Sequence, residues 1–373
     1  MSLLFSPISL GPFEVPNRIA IAPMCQYSAD DGCASVWHLQ QIMQYAMSGA
    51  GLVILEATGV ERRGRISHGC LGLYSDANEA ALARVMKEAR AVAIPGTRFG
   101  IQLGHAGRKA STQRPWEGRI GLSPHEDPWP TVAPSAIAFA KGYDTPHALD
   151  DAGLLRVKAA FVQAAQRAER LGFDVLELHS THGYLLDQFL SPHANKRTDR
   201  YGGDRTARMR FPLEVAEAVR AAVSKNVVVA ARITGTDWSE NGWSPEDAGV
   251  YATELKARGL GYACVSSGGI ITGVNIPSGP GYQVALAAHV KRASGIVTRA
   301  VGHIVTADQA NTILEKGEAD MVALGRAILD NPRWVWHAAD KLKAKIDYPL
   351  QYQRAAASLW KGAAWARPED FEA

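Results

Sequence analysis

Apolar residues along the chain fall into two alternating textures. Short runs of aliphatic and β-branched residues recur as RIAIAPM from Arg18, GLVILEAT from Gly51, TRFGIQLGH from Thr97 and DVLELHSTH from Asp174. The series continues with NVVVAARITG from Asn226, YACVSSGG from Tyr262, GIVTRAVG from Gly295 and ADMVALGR from Ala319. These runs hardly alternate with polar residues, the pattern of strands covered on both faces. Between them lie Ala-, Leu- and Arg-rich stretches of helical length. The clearest runs from about Asp150 to Leu171, with Leu154, Leu155, Val157, Phe161, Ala164, Ala165 and Ala168 as an apolar stripe and Gly172 as a C-cap glycine. Strand and helix alternating in this way predict the α/β class and a closed (β/α)8 TIM barrel. A doubly wound open sheet is the runner-up, but such sheets usually have fewer strands.

The punctuation adds detail. FSPISLGPFEVPNR, ahead of the first barrel strand, predicts a small N-terminal hairpin that plugs the barrel's bottom. Two connections are long: Ala106 to Ala148 after strand three, and the polar, Gly-rich stretch from Gly183 to about Asp204 after strand four. Loops of that length usually carry function, and both follow strands, on the face where barrels keep their chemistry. Residues 1–345 are read as one barrel domain. Residues 346–373 are read as a tail that contacts a neighbouring subunit.

Composition narrows the class. In 373 residues, 47% are hydrophobic and 21% charged, enough to bury a large core. The 40 basic and 37 acidic residues leave a net charge of +3 without a basic block. Nucleic acid and membrane are therefore not expected as partners, while small anionic ligands are allowed. The N-terminus is too polar for a signal peptide, and no apolar run reaches the ~18 residues of a membrane span. Cys25, Cys33, Cys70 and Cys264 form no CxxC pair, so no metal or disulfide framework is expected. A cytoplasmic enzyme is the default.

The densest chemistry is His179-Ser180-Thr181-His182-Gly183-Tyr184. On an extended backbone residues three apart face different ways, so the histidines converge only if the strand ends near His179 and turns, as Gly183 permits. Two neutral imidazoles and a phenol, protonated at neutral pH with a reference pKa of ~10, could grip and protonate a carbonyl compound. A zinc pair or satisfied core histidines are the alternatives from these residues alone.

From His179 the chain reads HSTHGYLLDQFLSPHANKRTDRYGGDRTARMRF, which closely resembles the signature of the Old Yellow Enzyme family. The resemblance continues through APMCQYSA from Ala22, LEATGV from Leu55, IQLGHAGRKAS from Ile101, APSAIAF from Ala133, PGYQV from Pro280 and VALGRAILDNP from Val322. Cys-Gln-Tyr after strand one and the paired histidines make it most similar to the thermophilic-like and xenobiotic-reductase branch.

That resemblance implies a tightly but non-covalently bound FMN, reduced by NADPH or NADH, and reduction of the C=C bond of an enone-type substrate. It implies flavin contacts at Ala22, Pro23, Met24, Cys25, Ala57, Gln102, Arg232, Gly325 and Arg326. Physically, Gln102 can donate to and accept from the pyrimidine edge, and Arg232 places positive charge near the reduced flavin. Gly302, with Gly325 and Arg326, lies in the loops where barrels usually hold phosphate. The resemblance further implies that His179 and His182 bind the substrate carbonyl, Tyr184 donates the proton, Tyr27 lines the pocket and Cys25 tunes the flavin. Arg354 matches an arginine that reaches a partner's site in some relatives, which implies a homo-oligomer, dimer or tetramer.

Three positions depart from the family pattern. Gln41 stands where a second histidine is common after Trp37-His38, Ala207 replaces an asparagine, and Arg299-Ala300-Val301 replaces a tryptophan-containing stretch. No GxGxxG joins a strand to a helix; GLGYAC lacks the third glycine, so the nicotinamide donor is expected on the flavin face. The rival readings are a metal-dependent barrel hydrolase held by His179 and His182, and a non-catalytic flavin-binding barrel.

Overall fold

In the computed structural model, which describes residues 2–371, the Pro-punctuated start folds into an antiparallel hairpin, β1 (Ile8–Leu10) against β2 (Phe13–Val15). Leu10 and Val15 share a buried cluster with Leu52, Val175, Val228 and Tyr262, which sit at the N-terminal ends of barrel strands. The hairpin is the bottom plug that its sequence predicted.

The chain then supplies β3 (Ile19–Ile21), β4 (Leu52–Gly59) and β5 (Arg98–Gly104). After a small pair, β6 (Val132–Ala133) and β7 (His147–Ala148), come β8 (Val175–Ser180), β9 (Val228–Thr234), β10 (Tyr262–Ser266), β11 (Val297–Ala300) and β12 (Met321–Leu324). Apart from the hairpin and the small pair, these strands form one closed parallel barrel in chain order, and β12 pairs with β3 to seal it. The predicted strand runs and the closed topology are thus both present.

Helices α1 (Val36–Ala46), α2 (Asp76–Val92), α3 (Asp151–Arg170), α4 (Leu185–Leu190) and α5 (Arg205–Ala222) return the chain through the first half of the barrel. In the second half they are α6 (Pro245–Ala257), α7 (Val284–Ser294), α8 (Ala307–Glu315), α9 (Arg326–Asp330) and α10 (Trp334–Lys341), with α11 (Ala363–Ala366) in the tail. Ser75, Asp150, Asp204, Ser244 and Thr306 cap helix N-termini through their side chains, each satisfying a backbone N–H that the helix itself leaves free. No helix among the described residues is long and apolar enough to cross a membrane.

Two expectations need correction. Leu155 is 62% exposed, whereas Leu154, Val157, Phe161, Ala164, Ala165 and Ala168 are buried; it lies one position off the stripe and points to water. The connection after β8 is not an open polar loop, because α4 within it is buried at every position. Its leucines and Phe189 join the main core, so the segment carrying Tyr184 is anchored from below.

Candidate active site

The end of β8 turns as the His-Ser-Thr-His-Gly-Tyr spacing requires. The strand stops at Ser180, and His182 (φ 61°) and Gly183 (φ 72°) both take left-handed backbone. This reversal brings the His179 and His182 rings to 5.3 Å between centroids, and His179 and Tyr184 to 4.9 Å. The Nζ of Lys109 donates to the carbonyls of His182 (2.7 Å) and Gly269 (2.8 Å), clamping the turn. Burial pushes that ammonium down to about 8.

Electrostatics fix the protonation states. Burial, then the nearby Arg232 charge, holds both imidazoles well below their usual value, so they are neutral at pH 7. Burial raises the Tyr184 phenol, with further contributions from Cys25 and Tyr27, so it keeps its proton. His182 Nε2 lies 2.7 Å from Ser266 Oγ, while the buried Nδ1 of His179 has no partner among the described residues. A buried, unpartnered ring nitrogen at this place is poised for a ligand.

Beside these rings a cavity of about 640 Å³ opens at the barrel mouth. Ala22, Pro23, Met24, His182, Arg232, Gly302, Gly325 and Arg326 line it, so the strand-one segment and the predicted phosphate loops do meet there. Arg119, from the long loop after β5, and His303 line it too, and no carboxylate among the described residues does. His303 Nε2 lies 2.6 Å from Arg326 Nη2. The Nε of Arg232 is buried without a partner among the described residues. Ala57, His179 and Tyr184 line a separate, smaller cavity with Cys70.

The remaining predicted residues lie round this centre. Cys25 is half-buried, and burial together with Glu56 raises its thiol well above the usual value, so it is no thiolate nucleophile. Tyr27 sits at φ 52° with its ring edge-on to Trp116 at 5.9 Å. Gln102 is buried, but its Nε2 donates to Glu177 Oε1 at 2.8 Å. One amide hydrogen is thus engaged in the barrel interior, which leaves the second and the carbonyl oxygen for a ligand. Arg354 is exposed on the tail.

Residues 3–345 match the NADH:flavin oxidoreductase / NADH oxidase family. The chain belongs to that family. It is similar to the NADPH dehydrogenase of Geobacillus thermodenitrificans, 39% identical over 95% of this chain and 98% of that protein. It is likewise similar to the NADPH dehydrogenase of Listeria monocytogenes, at 40% identity over 97% of this chain and 100% of that protein. Among solved structures, morphinone reductase matches at 30% identity and a TM-score of 0.75, covering 93% of this chain and 91% of that one. The resemblance to the Old Yellow Enzymes is therefore real, and this family member is an oxidoreductase that uses FMN with a nicotinamide dinucleotide as hydride donor.

The geometry fits FMN. A cavity of about 640 Å³ is of the size that binds small cofactors, and its cationic, carboxylate-free lining suits a phosphate and an electron-accepting ring. Arg232 offers an N–H without a partner among the described residues, and Gly302 (φ 123°) lets the cavity wall pack closely on Gln283, whose Nε2 a Cβ would meet at 2.8 Å. A metal hydrolase has less to stand on, since no group of three potential metal ligands exists among the described residues.

Sequence reasoning missed several contributors. Glu56 occupies a register shift between Leu55 and Ala57, a bulge that re-aims its carboxylate. The carboxylate lies 3.1 Å from His38 Nε2 and accepts from the Gln26 N–H at 3.2 Å, tying α1 and the Cys25 segment to β4. Gln41, the first departure, is buried and donates to the Tyr45 hydroxyl at 3.3 Å. Lys109 and Glu177 lie in family-like stretches without a role assigned from sequence, and Arg299 is known there only as a departure from the family pattern. Nothing in the local pattern marks their pairings, because the partners lie on distant segments of the chain.

Proposed function

We propose that this enzyme reduces the carbon–carbon double bond of α,β-unsaturated carbonyl compounds. Bound FMN supplies the hydride that ends on the β-carbon. The side chains supply the rest. His179 and His182, both neutral, donate hydrogen bonds to the carbonyl oxygen and stabilise the negative charge that develops there. Tyr184 gives its proton to the α-carbon, and water returns one to the phenolate, so two electrons and two hydrogens are added overall. A phenol held above its ordinary pKa yields its proton only to a strong base, which an enolate carbon is. Arg232 balances negative charge on the cofactor, and Arg326 with Gly302 and Gly325 holds its phosphate. Cys25 modulates the flavin as a neutral thiol, and Tyr27 borders the substrate.

One observation carries this reading: the two imidazoles and the phenol converge beside the cofactor-sized cavity. That morphinone reductase has been solved with tetrahydroNAD supports a nicotinamide site in this enzyme. We further propose residues 1–345 as the catalytic domain and the exposed tail after it, with Arg354, as a contact to a neighbouring subunit in a dimer or tetramer. The test is anaerobic reduction of the purified protein with NADPH, followed by mixing with a cyclic enone. Rapid return of the oxidised flavin spectrum is expected; a reduced flavin that ignores every enone overturns the proposal.

A further inference from the structure

Barrel interiors are normally filled by layers of Val, Ile and Leu. Here Glu177 of β8 and Arg299 of β11 form an ion pair inside the barrel, both completely buried. Tyr262 of β10 completes the group: its hydroxyl donates to Glu177 Oε2 at 2.7 Å and accepts from Arg299 Nη1 at 3.1 Å. The other carboxylate oxygen accepts from Gln102 Nε2 of β5, at 2.8 Å. Side chains from three other strands therefore converge on one carboxylate.

Burying two charges costs more than filling the same volume with hydrocarbon, so the pair calls for a use beyond stability. An amide can turn over and exchange its oxygen for its nitrogen. Glu177 accepts only from the nitrogen, and the opposite orientation would set oxygen against oxygen. The Gln102 carbonyl is thereby committed to the other side. A lone carboxylate in this position would also resist arrival of electrons on a nearby cofactor. Arg299 cancels that field while leaving the hydrogen bond to Gln102 intact.

We propose that Glu177 and Arg299 are a positioning pair for the flavin: Glu177 locks the Gln102 amide with its oxygen toward the pyrimidine edge, and Arg299 neutralises the carboxylate so that the cofactor's reduction potential is not depressed. The pair rests on the reading that Gln102 contacts the flavin. It belongs to this chain's departure from the family pattern at Arg299-Ala300-Val301, and it gives that departure a chemical role.

The experiment compares the FMN-loaded protein with Glu177→Gln, Arg299→Met and the double variant, measuring the flavin midpoint potential against a reference dye and FMN affinity by fluorescence. Loss of the carboxylate is expected to raise the potential, and loss of the guanidinium to lower it. The charge-free double variant returns close to the starting potential. FMN affinity falls roughly tenfold in both variants that lack Glu177, because the amide orientation is released. Tyr262→Phe removes a donor from Glu177 while both charges stay; it lowers the potential in the sense of Arg299→Met and replaces that variant if it does not fold. Shifts of the same sign in the two single variants, or unchanged potentials in folded, FMN-bound proteins, overturn the pair's role. A wild-type protein that takes up no FMN strikes instead at the functional reading itself.

Discussion

At the scale of single residues, the site divides its work between groups that hold charge and one that moves a proton. Tyr184 is kept protonated by burial, so replacing it removes the proton without disturbing the cofactor. Tyr184→Phe is expected to slow reoxidation by an enone by about 10²-fold or more, with FMN still bound and still reduced by NADPH. Stopped-flow measurement of the two half-reactions separates these effects, and an unchanged oxidative rate removes the acid role. Cys25→Ala is expected to shift the flavin potential while the fold persists, since its thiol is neutral and contributes a dipole rather than a charge. A potential that stays put makes Cys25 packing alone. The histidines and the tyrosine were legible in sequence because they crowd into a single turn. The pairing of Glu177 with Arg299 was not, because a charge within an apolar run gives no sign of the partner that satisfies it across the barrel.

At the scale of elements, the turn between β8 and α4 is the part on which the chemistry depends. Gly183 combines φ 72° with a space so tight that a Cβ would sit 2.1 Å from the Gly269 carbonyl oxygen. Gly183→Ala is therefore expected to lose about 2 kcal/mol or more of stability, and to lose enone reduction through displacement of His182 and Tyr184. Thermal unfolding and steady-state rates check it; native stability and activity would show that the turn tolerates a side chain. The glycine's necessity was visible in the sequence as a requirement for convergence. The burial of α4 was hidden, since a six-residue helix is too short to display a period and reads as part of a loop. Leu155 was misread for a related reason: a run of two leucines cannot say which one faces the core. Leu154→Ala is expected to cost about 2–5 kcal/mol, and Leu155→Ala far less, in the same denaturation assay.

At the scale of the whole molecule, the barrel was legible because strands buried on both faces must be apolar throughout, and few architectures bury eight of them. The way distant segments share protons was not. Asp187 of α4 and Asp237 beyond β9 are a buried carboxylate pair: Asp187 accepts from the Gly183 N–H at 2.7 Å, and Asp237 from Ser191 Oγ at 2.6 Å and the Trp243 N–H at 2.8 Å. Burial, then the charge of Asp237, raises Asp187 far above the ordinary carboxylate range, and burial raises Asp237 as well. A carboxyl with a raised native pKa binds its proton more tightly folded than unfolded. The stability it contributes is complete below ~pH 4, where the unfolded chain is protonated too, and is lost as the pH climbs toward the native value, at up to about 1.4 kcal/mol per pH unit. Asp187→Asn mimics the protonated acid and keeps an oxygen for the Gly183 N–H, so it should not lose this stability. Urea unfolding of both proteins from pH 5 to 8 is expected to show the variant gaining steadily on the wild type; parallel curves would mean that Asp187 is ionised in the native fold. Because Asp187 accepts from the Gly183 N–H, the carboxyl whose protonation sets this pH dependence also holds the turn that carries Tyr184.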